Sequence, residues 1–375
     1  MILKQLRKIF NEINSSASKL HLYAYSSDAS RIEGHPKAVV FPTDLEKLRK
    51  LVKLAKRLDV PLTPRGAGTN TVGSAVPIDS IVVDMSKLKR ILRMDDDSVI
   101  VEAGCLLGEL NLRLKQAFLF GPHKTIGGLI ATNSQGKFGR FGSYVKELEI
   151  MDGSGRIETL VDDRCNHFIG KEGATGIIIT AKLKLPDNPK TKSVSLFSFN
   201  TISSLFIKLQ ELKNDPNILT IRYLDEAISD IMFLGCKNHI IAEHFNDEGS
   251  IKDKKDMQGL IELMEKADST LKTLGFIENE EPLMPSKDLD KYLYWLKKKG
   301  IPVIADLKHN FIKSYFKKKE LSHKETKSVI KKLNGQMNAL GTGLKYKKEF
   351  VNQKSLTALK SHYDPRNIMN RGQLT

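Results

Sequence analysis

Apolar residues Ile2, Leu3, Leu6, Ile9, Phe10 and Ile13 recur at helical spacing and predict an amphipathic helix, followed by a polar segment, Tyr23–Ser30. Ala38–Phe41, led in by His35-Pro36-Lys37, reads as a strand. Thr43-Asp44-Leu45-Glu46 has the form of a capping box with Thr43 as the cap, and the apolar stripe at 45, 48, 51, 52, 55 and 58 continues it as a helix. Val60–Thr63 is the next strand and turn, and Ile81–Asp84 and Val99–Ala103 are further short strands, with a turn at Asp95-Asp96-Asp97. A helix is expected from Leu106 to about Ala117. Glu147–Met151 and Gly155–Leu160 flank the turn dipeptide Asp152-Gly153 as a strand pair. In the strand after Gly176, Ile177, Ile179, Ala181, Leu183 and Leu185 alternate with Thr180, Lys182 and Lys184, which is a half-buried pattern.

Pro186-Asp187-Asn188-Pro189 is the clearest boundary in the chain. Beyond it glycine becomes sparse, and helix-like segments carry lysine clusters at Lys297–Lys299, Lys317–Lys319 and Lys331-Lys332. Strands remain at Ser193–Phe199, Leu219–Leu224, Ile240–His244 and Ile301–Asp306, so the second half reads as α+β. The stretch Leu356–Thr375 is a short helix and then a loop.

Composition narrows the class. With 375 residues, 40% hydrophobic and 28% charged, the chain can bury two cores and is not disordered. No apolar run reaches a membrane span, and the N-terminus lacks a signal-peptide pattern, so a cytoplasmic location is expected. Three dispersed cysteines indicate neither a disulfide framework nor a CxxC metal site. The net charge of +16 admits two readings: solvated lysine-rich faces, or a basic surface for an anionic partner, a membrane or a complex. No RNP-like aromatic motif, helix-turn-helix or zinc finger is present, so nucleic acid is not the expected partner.

Three glycine-bearing loops carry the candidate chemistry. Pro64-Arg65-Gly66-Ala67-Gly68-Thr69-Asn70 follows the Val60–Thr63 strand, and two glycines flanking a small residue allow successive N–H groups to converge on one anion. It is neither a P-loop nor a Gly-x-Gly-x-x-Gly fingerprint, and alone it reads equally as a tight surface turn. Thr125-Ile126-Gly127-Gly128 leads through Asn133 to Gly136, Gly139 and Gly142, and Gly170–Gly176 is the third loop.

Together, and in this order, the three loops resemble the FAD-binding domain of the vanillyl-alcohol oxidase / p-cresol methylhydroxylase superfamily (PCMH type). The nearest likeness is to its glycolate oxidase and FAD-linked D-lactate dehydrogenase branch, whose chains end much like Asp364-Pro365-Arg366-Asn367-Ile368-Met369-Asn370-Arg371-Gly372. The resemblance covers residues 23–186 and the tail well, and the middle faintly. It implies an α+β fold: an N-terminal helical segment (1–30), a two-subdomain FAD-binding domain (31–187), an α+β cap or substrate domain (188–340), and a C-terminal segment (341–375) packing back on the FAD domain.

For the cofactor, the resemblance implies that Pro64, Arg65, Gly66, Ala67, Gly68, Thr69 and Asn70 wrap the FAD pyrophosphate. Thr125, Ile126, Gly127, Gly128, Asn133, Gly136, Gly142 and Ser143 would line the middle of the dinucleotide and one ring face. Gly176 and Ile178 would meet the adenine end, and Asn370 would return near the flavin. No histidine lies within Pro64–Gly73, so noncovalent FAD is expected, with His123 keeping the covalent alternative open.

The sequence departs from the branch where substrate is handled. Relatives carry a His-x-Gly-Asp-Gly-Asn-x-His motif and a later Glu-His pair that bind a divalent metal; here the matching stretches are Ala305-Asp306-Leu307-Lys308-His309-Asn310 and Leu340-Gly341-Thr342-Gly343-Leu344. One histidine against two and a glutamate does not make that site, and no metal is expected. His309 is the candidate base and Lys298 the candidate cation for a substrate carboxylate, against plain readings as a loop histidine and a charged helix face. Arg222 and Tyr223 could line the pocket or lie in the cap's core. Two functions follow: a flavoenzyme dehydrogenating a small hydroxy acid or alcohol and passing electrons to a redox protein or quinone, or an FAD-binding relay or assembly subunit of a larger complex.

Overall fold

The computed structural model describes residues 2–187, 190–278, 281–316, 323–337, 343–344 and 353–374. Residues 1–188 with 340–375 form one compact unit and 189–339 a second. The Lys317–Lys319 cluster, Asn188, Pro189 and Leu340–Thr342 lie outside the described residues.

In the first unit, the N-terminal helix is Ile2–Phe10, with Leu6 and Phe10 buried. It ends earlier than its apolar stripe suggests: Asn11 takes a left-handed φ of 61°, and Ile13 is 86% exposed. Strands Pro36–Val40, Ser80–Asp84 and Leu62–Arg65 pair in parallel, in that spatial order, with Ser15–Ser16 at the edge. Helix Leu45–Leu58 crosses from the first of these to the third and buries Leu48, Leu51, Val52, Leu54 and Ala55. Its cap is Asp44 rather than Thr43. The Asp44 carboxylate accepts from Lys47 N at 2.8 Å, while the Thr43 hydroxyl accepts from Lys47 Nζ instead.

A second, antiparallel sheet runs Ile157–Val161, Val145–Met151, Ile177–Lys184, Ser98–Glu102, Ile91–Met94. Here the expected alternation breaks. A register shift between Ile178 and Thr180 sends Ile177 and Ile179 into the core against the first sheet, and Ile178, Ala181 and Leu183 into the core on the other face. One strand thereby feeds two cores. The helix expected over Leu106–Ala117 is only Leu107–Asn111. The Asn111 amide takes both the N–H and the carbonyl of Phe118, which closes residues 112–118 into a loop and leaves Leu112 89% exposed.

The C-terminal tail completes the first sheet. Leu62 N donates to Ile368 O at 2.7 Å, and Asn370 N donates to Leu62 O at 2.8 Å, so the tail lies beside the strand that leads into the first glycine loop.

The second unit is a six-stranded antiparallel sheet ordered Ser193–Phe199, Asn238–His244, Ile218–Leu224, Val303–Asp306, Phe311–Phe316, Ile277–Glu278. Helices Ile202–Asn214 and Leu289–Lys298 contribute to one hydrophobic core, and Lys254–Thr273 and Glu226–Ile231 to another. Tyr223 is in the first of these cores, its hydroxyl donating to Asn238 Oδ1 at 2.7 Å. Among the described lysines, Lys297 and Lys299 pair with Glu226 and Glu325, each at 2.6 Å. Among the described residues, no helix is long and apolar enough to cross a membrane.

Candidate functional site

Strand Leu62–Arg65 delivers the chain into the first glycine loop, with Arg65 in register with Asp84 on the neighbouring parallel strand. The Asn70 carboxamide closes the far side, Oδ1 accepting from Val72 N at 2.9 Å and Ser74 N at 3.0 Å. Gly68 sits at φ +67°, a conformation glycine adopts without strain, and its carbonyl accepts from Ala29 N at 3.1 Å. Among the described residues, none accepts a hydrogen bond from the backbone N–H of Gly66, Ala67, Gly68, Thr69 or Asn70. Five consecutive donors without an internal acceptor, in a loop with no carboxylate side chain, form a donor-rich surface suited to an anion.

The second loop rests directly on the first. Thr125 caps helix Ile126–Ala131, its Oγ1 accepting from Gly128 N at 3.2 Å. A Cβ on Gly66 would stand 2.0 Å from that same Oγ1. Gly127 N donates to Ala103 O at 2.8 Å, and a Cβ there would meet the Ala103 methyl at 2.8 Å. Asn133, at φ +45°, turns the chain, and its Oδ1 accepts from Gly142 N at 3.0 Å. Gly136 stands against the Phe120 ring, and exposed Ser143 donates its hydroxyl to Arg140 O at 2.8 Å.

The third loop and the tail lock onto these two. A Cβ on Gly173 would reach Pro64 at 3.4 Å, and Gly176, at φ +153°, passes so close to Met151 O that a Cβ would lie 2.5 Å from it. Glu172 N donates to Ala131 O at 2.8 Å, and its carboxylate accepts from Gly343 N at 2.8 Å. Buried Asn370, at φ +46°, donates through Nδ2 to Ser74 O at 3.0 Å and to Glu172 O at 2.6 Å, which ties the first loop to the third. Its Oδ1 is buried and, among the described residues, has no partner; buried Gln373 likewise leaves Oε1 without one.

The structure therefore brings Pro64–Asn70, Thr125–Gly128, Gly176 and Asn370 into one set of interlocked loops. Within it Ile126 and Ile178 turn their side chains into the core, leaving the main chain to face any ligand. The Arg65 guanidinium points inward, donating to Ser27 O at 2.8 Å, so its side chain is committed to the protein. Sequence reasoning missed Tyr25, Asp84 and Gln373, which lie outside the three loops, and gave no role to Glu172 within the third.

In the second unit, His309 stands in the hairpin between Val303–Asp306 and Phe311–Phe316. Its Nδ1 lies 2.9 Å from Asp306 Oδ2, and Asp306 Oδ1 accepts from Lys308 N at 3.1 Å and His309 N at 3.3 Å. Burial would raise the Asp306 carboxyl, but the hydrogen bond from His309 and the nearby Arg222 charge outweigh it, so the group is held below its usual range. The pair fixes the imidazole and leaves Nε2 outside the Asp306 contact. Lys298 is exposed on the last turn of helix Leu289–Lys298 and makes no hydrogen bond or ion pair with His309 among the described residues. Among the described residues, no three His, Cys, Asp or Glu side chains converge as a metal-binding group.

Residues 36–160 match the family described as FAD binding domain. The chain is 28% identical over 225 residues to the glycolate oxidase subunit GlcD of Bacillus subtilis (strain 168), covering 54% of this chain and 48% of that protein. It is 29% identical over 214 residues to the mitochondrial D-lactate dehydrogenase (cytochrome) of Arabidopsis thaliana, covering 51% of this chain and 38% of that protein. The chain thus spans about half or less of the length of these relatives. In fold it is similar to p-cresol methylhydroxylase with substrate bound, at a TM-score of 0.75 and 15% identity, over 99% of this chain and 96% of that one.

Proposed function

We propose that this chain, which carries an FAD-binding domain over residues 36–160, is a flavin-dependent dehydrogenase of a small 2-hydroxy acid that passes its electrons to a redox protein or quinone. The observation that supports this most directly is the row of free N–H donors from Gly66 to Asn70, which suits the two phosphate charges of the dinucleotide without a lysine. On this reading Gly127, Gly128, Asn133, Gly142 and Ser143 present backbone and short side chains along the cofactor, and Asn370 Oδ1 offers a buried acceptor. FAD held noncovalently would supply a two-electron acceptor for the hydrogen on the carbinol carbon. His309, oriented through Nδ1 by Asp306, would take the hydroxyl proton at Nε2, and Lys298 would attract the substrate carboxylate. The substrate class rests on the names of the relatives, glycolate oxidase and D-lactate dehydrogenase.

Two measurements test the reading. The purified protein is expected to be yellow, and anaerobic addition of glycolate, D-lactate or a longer 2-hydroxy acid should bleach it. Replacing His309 by Asn should lower kcat/KM by about 100-fold or more while the flavin absorption stays, because only the proton transfer is lost. Unchanged turnover in H309N would remove His309 from the mechanism.

A second reading, an FAD-binding relay or assembly subunit, is favoured by the sequence at Ala305–Asn310, where His309 stands alone in place of a two-histidine motif, and by the subunit status in the printed name of the Bacillus relative. It predicts a yellow protein that dithionite bleaches and no hydroxy acid does.

A further inference from the structure

Arg65 is the one charged side chain in the first glycine loop, and its surroundings account for what it does. The guanidinium donates from one nitrogen to Ser27 O at 2.8 Å and to Ala75 O at 3.5 Å, joining the segment before strand Pro36–Val40 to the far end of the loop. The other terminal nitrogen lies against Gly68, where a Cβ would come within 2.4 Å of it. The guanidinium carbon is 5.1 Å from the Tyr25 ring centroid, and Tyr25 donates its hydroxyl to Asp84 Oδ2 at 2.5 Å. Asp84 is buried and also accepts from Ser86 N at 2.8 Å. Asp28 holds the same two segments together from the other side of the connection, accepting from Ser30 N at 2.9 Å and from Ala75 N at 3.2 Å.

Burial lowers the Arg65 guanidinium from its ordinary value, and Asp28, Tyr25 and Asp84 oppose that. An arginine remains charged under this load. A fixed cation therefore lies beneath Gly68 while the N–H groups of residues 66–70 stay free of internal acceptors.

We infer that Arg65 is a positioning residue: it braces Gly68 and Ala75 so that the Gly66–Asn70 donors are aligned for a diphosphate before the ligand arrives, and it adds a buried positive charge behind them, without itself contacting the phosphates. The inference rests on the FAD reading above and extends it, since loop preorganisation rather than a direct arginine–phosphate contact would then set the affinity for the diphosphate. Tyr25 and Asp84, which no loop motif contains, become part of the same device.

The test uses the full-length apo-protein and two probes, FAD and ADP, titrated by calorimetry. Arg65→Met should weaken both by about 30-fold, since it removes a charge-assisted brace and its field. Arg65→Lys retains the charge but not the fork, and should weaken both by about 5-fold to 10-fold. In Arg65→Ala, added ethylguanidinium should restore part of the lost affinity, a rescue that mere misfolding would not permit. Tyr25→Phe should lie within about 5-fold of wild type, because the ring face is retained and only the hydroxyl tie to Asp84 goes. FAD and ADP affinities within twofold of wild type in both Arg65→Met and Arg65→Lys would overturn the inference. So would an Arg65→Lys variant that binds like wild type while Arg65→Met does not, because charge alone would then suffice. Should Arg65→Met fail to fold, Arg65→Lys and the rescue of Arg65→Ala decide the matter. A wild-type protein that binds neither probe would instead sink the FAD reading itself.

Discussion

Gly66→Val is expected to give a protein that folds but loses FAD, with affinity reduced by more than about 100-fold, equivalent to about 3 kcal/mol. The reason is a contact between two loops. A Cβ at position 66 would stand 2.0 Å from Thr125 Oγ1 and 3.1 Å from Thr125 Cβ, so one of the loops must move. Neither can move without loss. Thr125 Oγ1 is the cap that accepts from Gly128 N, and the Gly66 side carries the row of free donors. The strain also costs stability, about 1–3 kcal/mol by the usual penalty for overpacking. Titration of the apo-protein with FAD, followed by flavin fluorescence, measures the first effect, and thermal unfolding measures the second. A double-mutant cycle isolates the cause. Thr125→Gly costs only a few tenths of a kcal/mol as a cap replacement, so Gly66→Ala combined with Thr125→Gly should bind FAD more tightly than Gly66→Ala alone. If Gly66→Val holds FAD within about threefold of wild type, the loop-on-loop contact is not what shapes the site.

The same contact shows why part of the site is legible in sequence and part is not. Gly66, Gly68 and Gly127 are visible because the residue type itself marks the requirement: a left-handed φ at Gly68, and no room for a Cβ at the other two. What Gly66 touches is decided by Thr125, in another loop, and Ser74, which donates to Asn70, is met by Asn370 from the tail. Local pattern cannot supply that partner. Arg65 shows the same limit: the sequence places its backbone in the loop, but only the fold shows the carbonyl of Ser27 and the ring of Tyr25 holding its side chain inward.

Elements fail to read for equally local reasons. The Ile177–Lys184 alternation was obeyed on each side of a bulge but not across it, because an extra residue near Ile179 exchanges the faces. The stripe ending at Ile13 overran its helix because Asn11 can take φ 61° and stop it. The helix predicted through Ala117 was pre-empted by one side chain, Asn111, bonding the backbone of Phe118 in place of a further turn. Strand Phe311–Phe316 escaped notice because its polar lead, Lys308-His309-Asn310, reads as loop; it is the tip of a hairpin pinned by Asp306.

The second large effect lies in the tail. Asp364→Ala is expected to cost about 3–5 kcal/mol of stability in the first unit, the range for breaking a buried pair by removing one partner. Lys360 and Asp364 are 7% and 0% exposed and 2.9 Å apart. Lys360 Nζ also donates to Ala174 O at 2.9 Å and to Met369 O at 2.6 Å, and the Asp364 carboxylate accepts from Ile368 N at 2.9 Å and Met369 N at 2.8 Å. Removing the carboxylate strands a buried ammonium and two N–H groups in the stretch that carries Asn370 to Ser74 and Glu172, so FAD affinity should fall with stability. Lys360→Met combined with Asp364→Ala should be less harmful than the two single effects added, because no unpaired charge remains. The pH dependence separates this cause from simple loss of packing. Burial already lowers the Lys360 ammonium below its ordinary range, and Asp364 opposes that shift, so removing Asp364 lowers it further. Where the folded state holds fewer protons than the unfolded chain, stability rises with pH. The deficit of Asp364→Ala relative to wild type should therefore shrink between about pH 7 and pH 10 in urea unfolding, as the stranded lysine gives up its proton. A deficit that stays constant across that range would mean that the tail is held by shape and backbone bonds, and that the ion pair contributes little to keeping Asn370 in place.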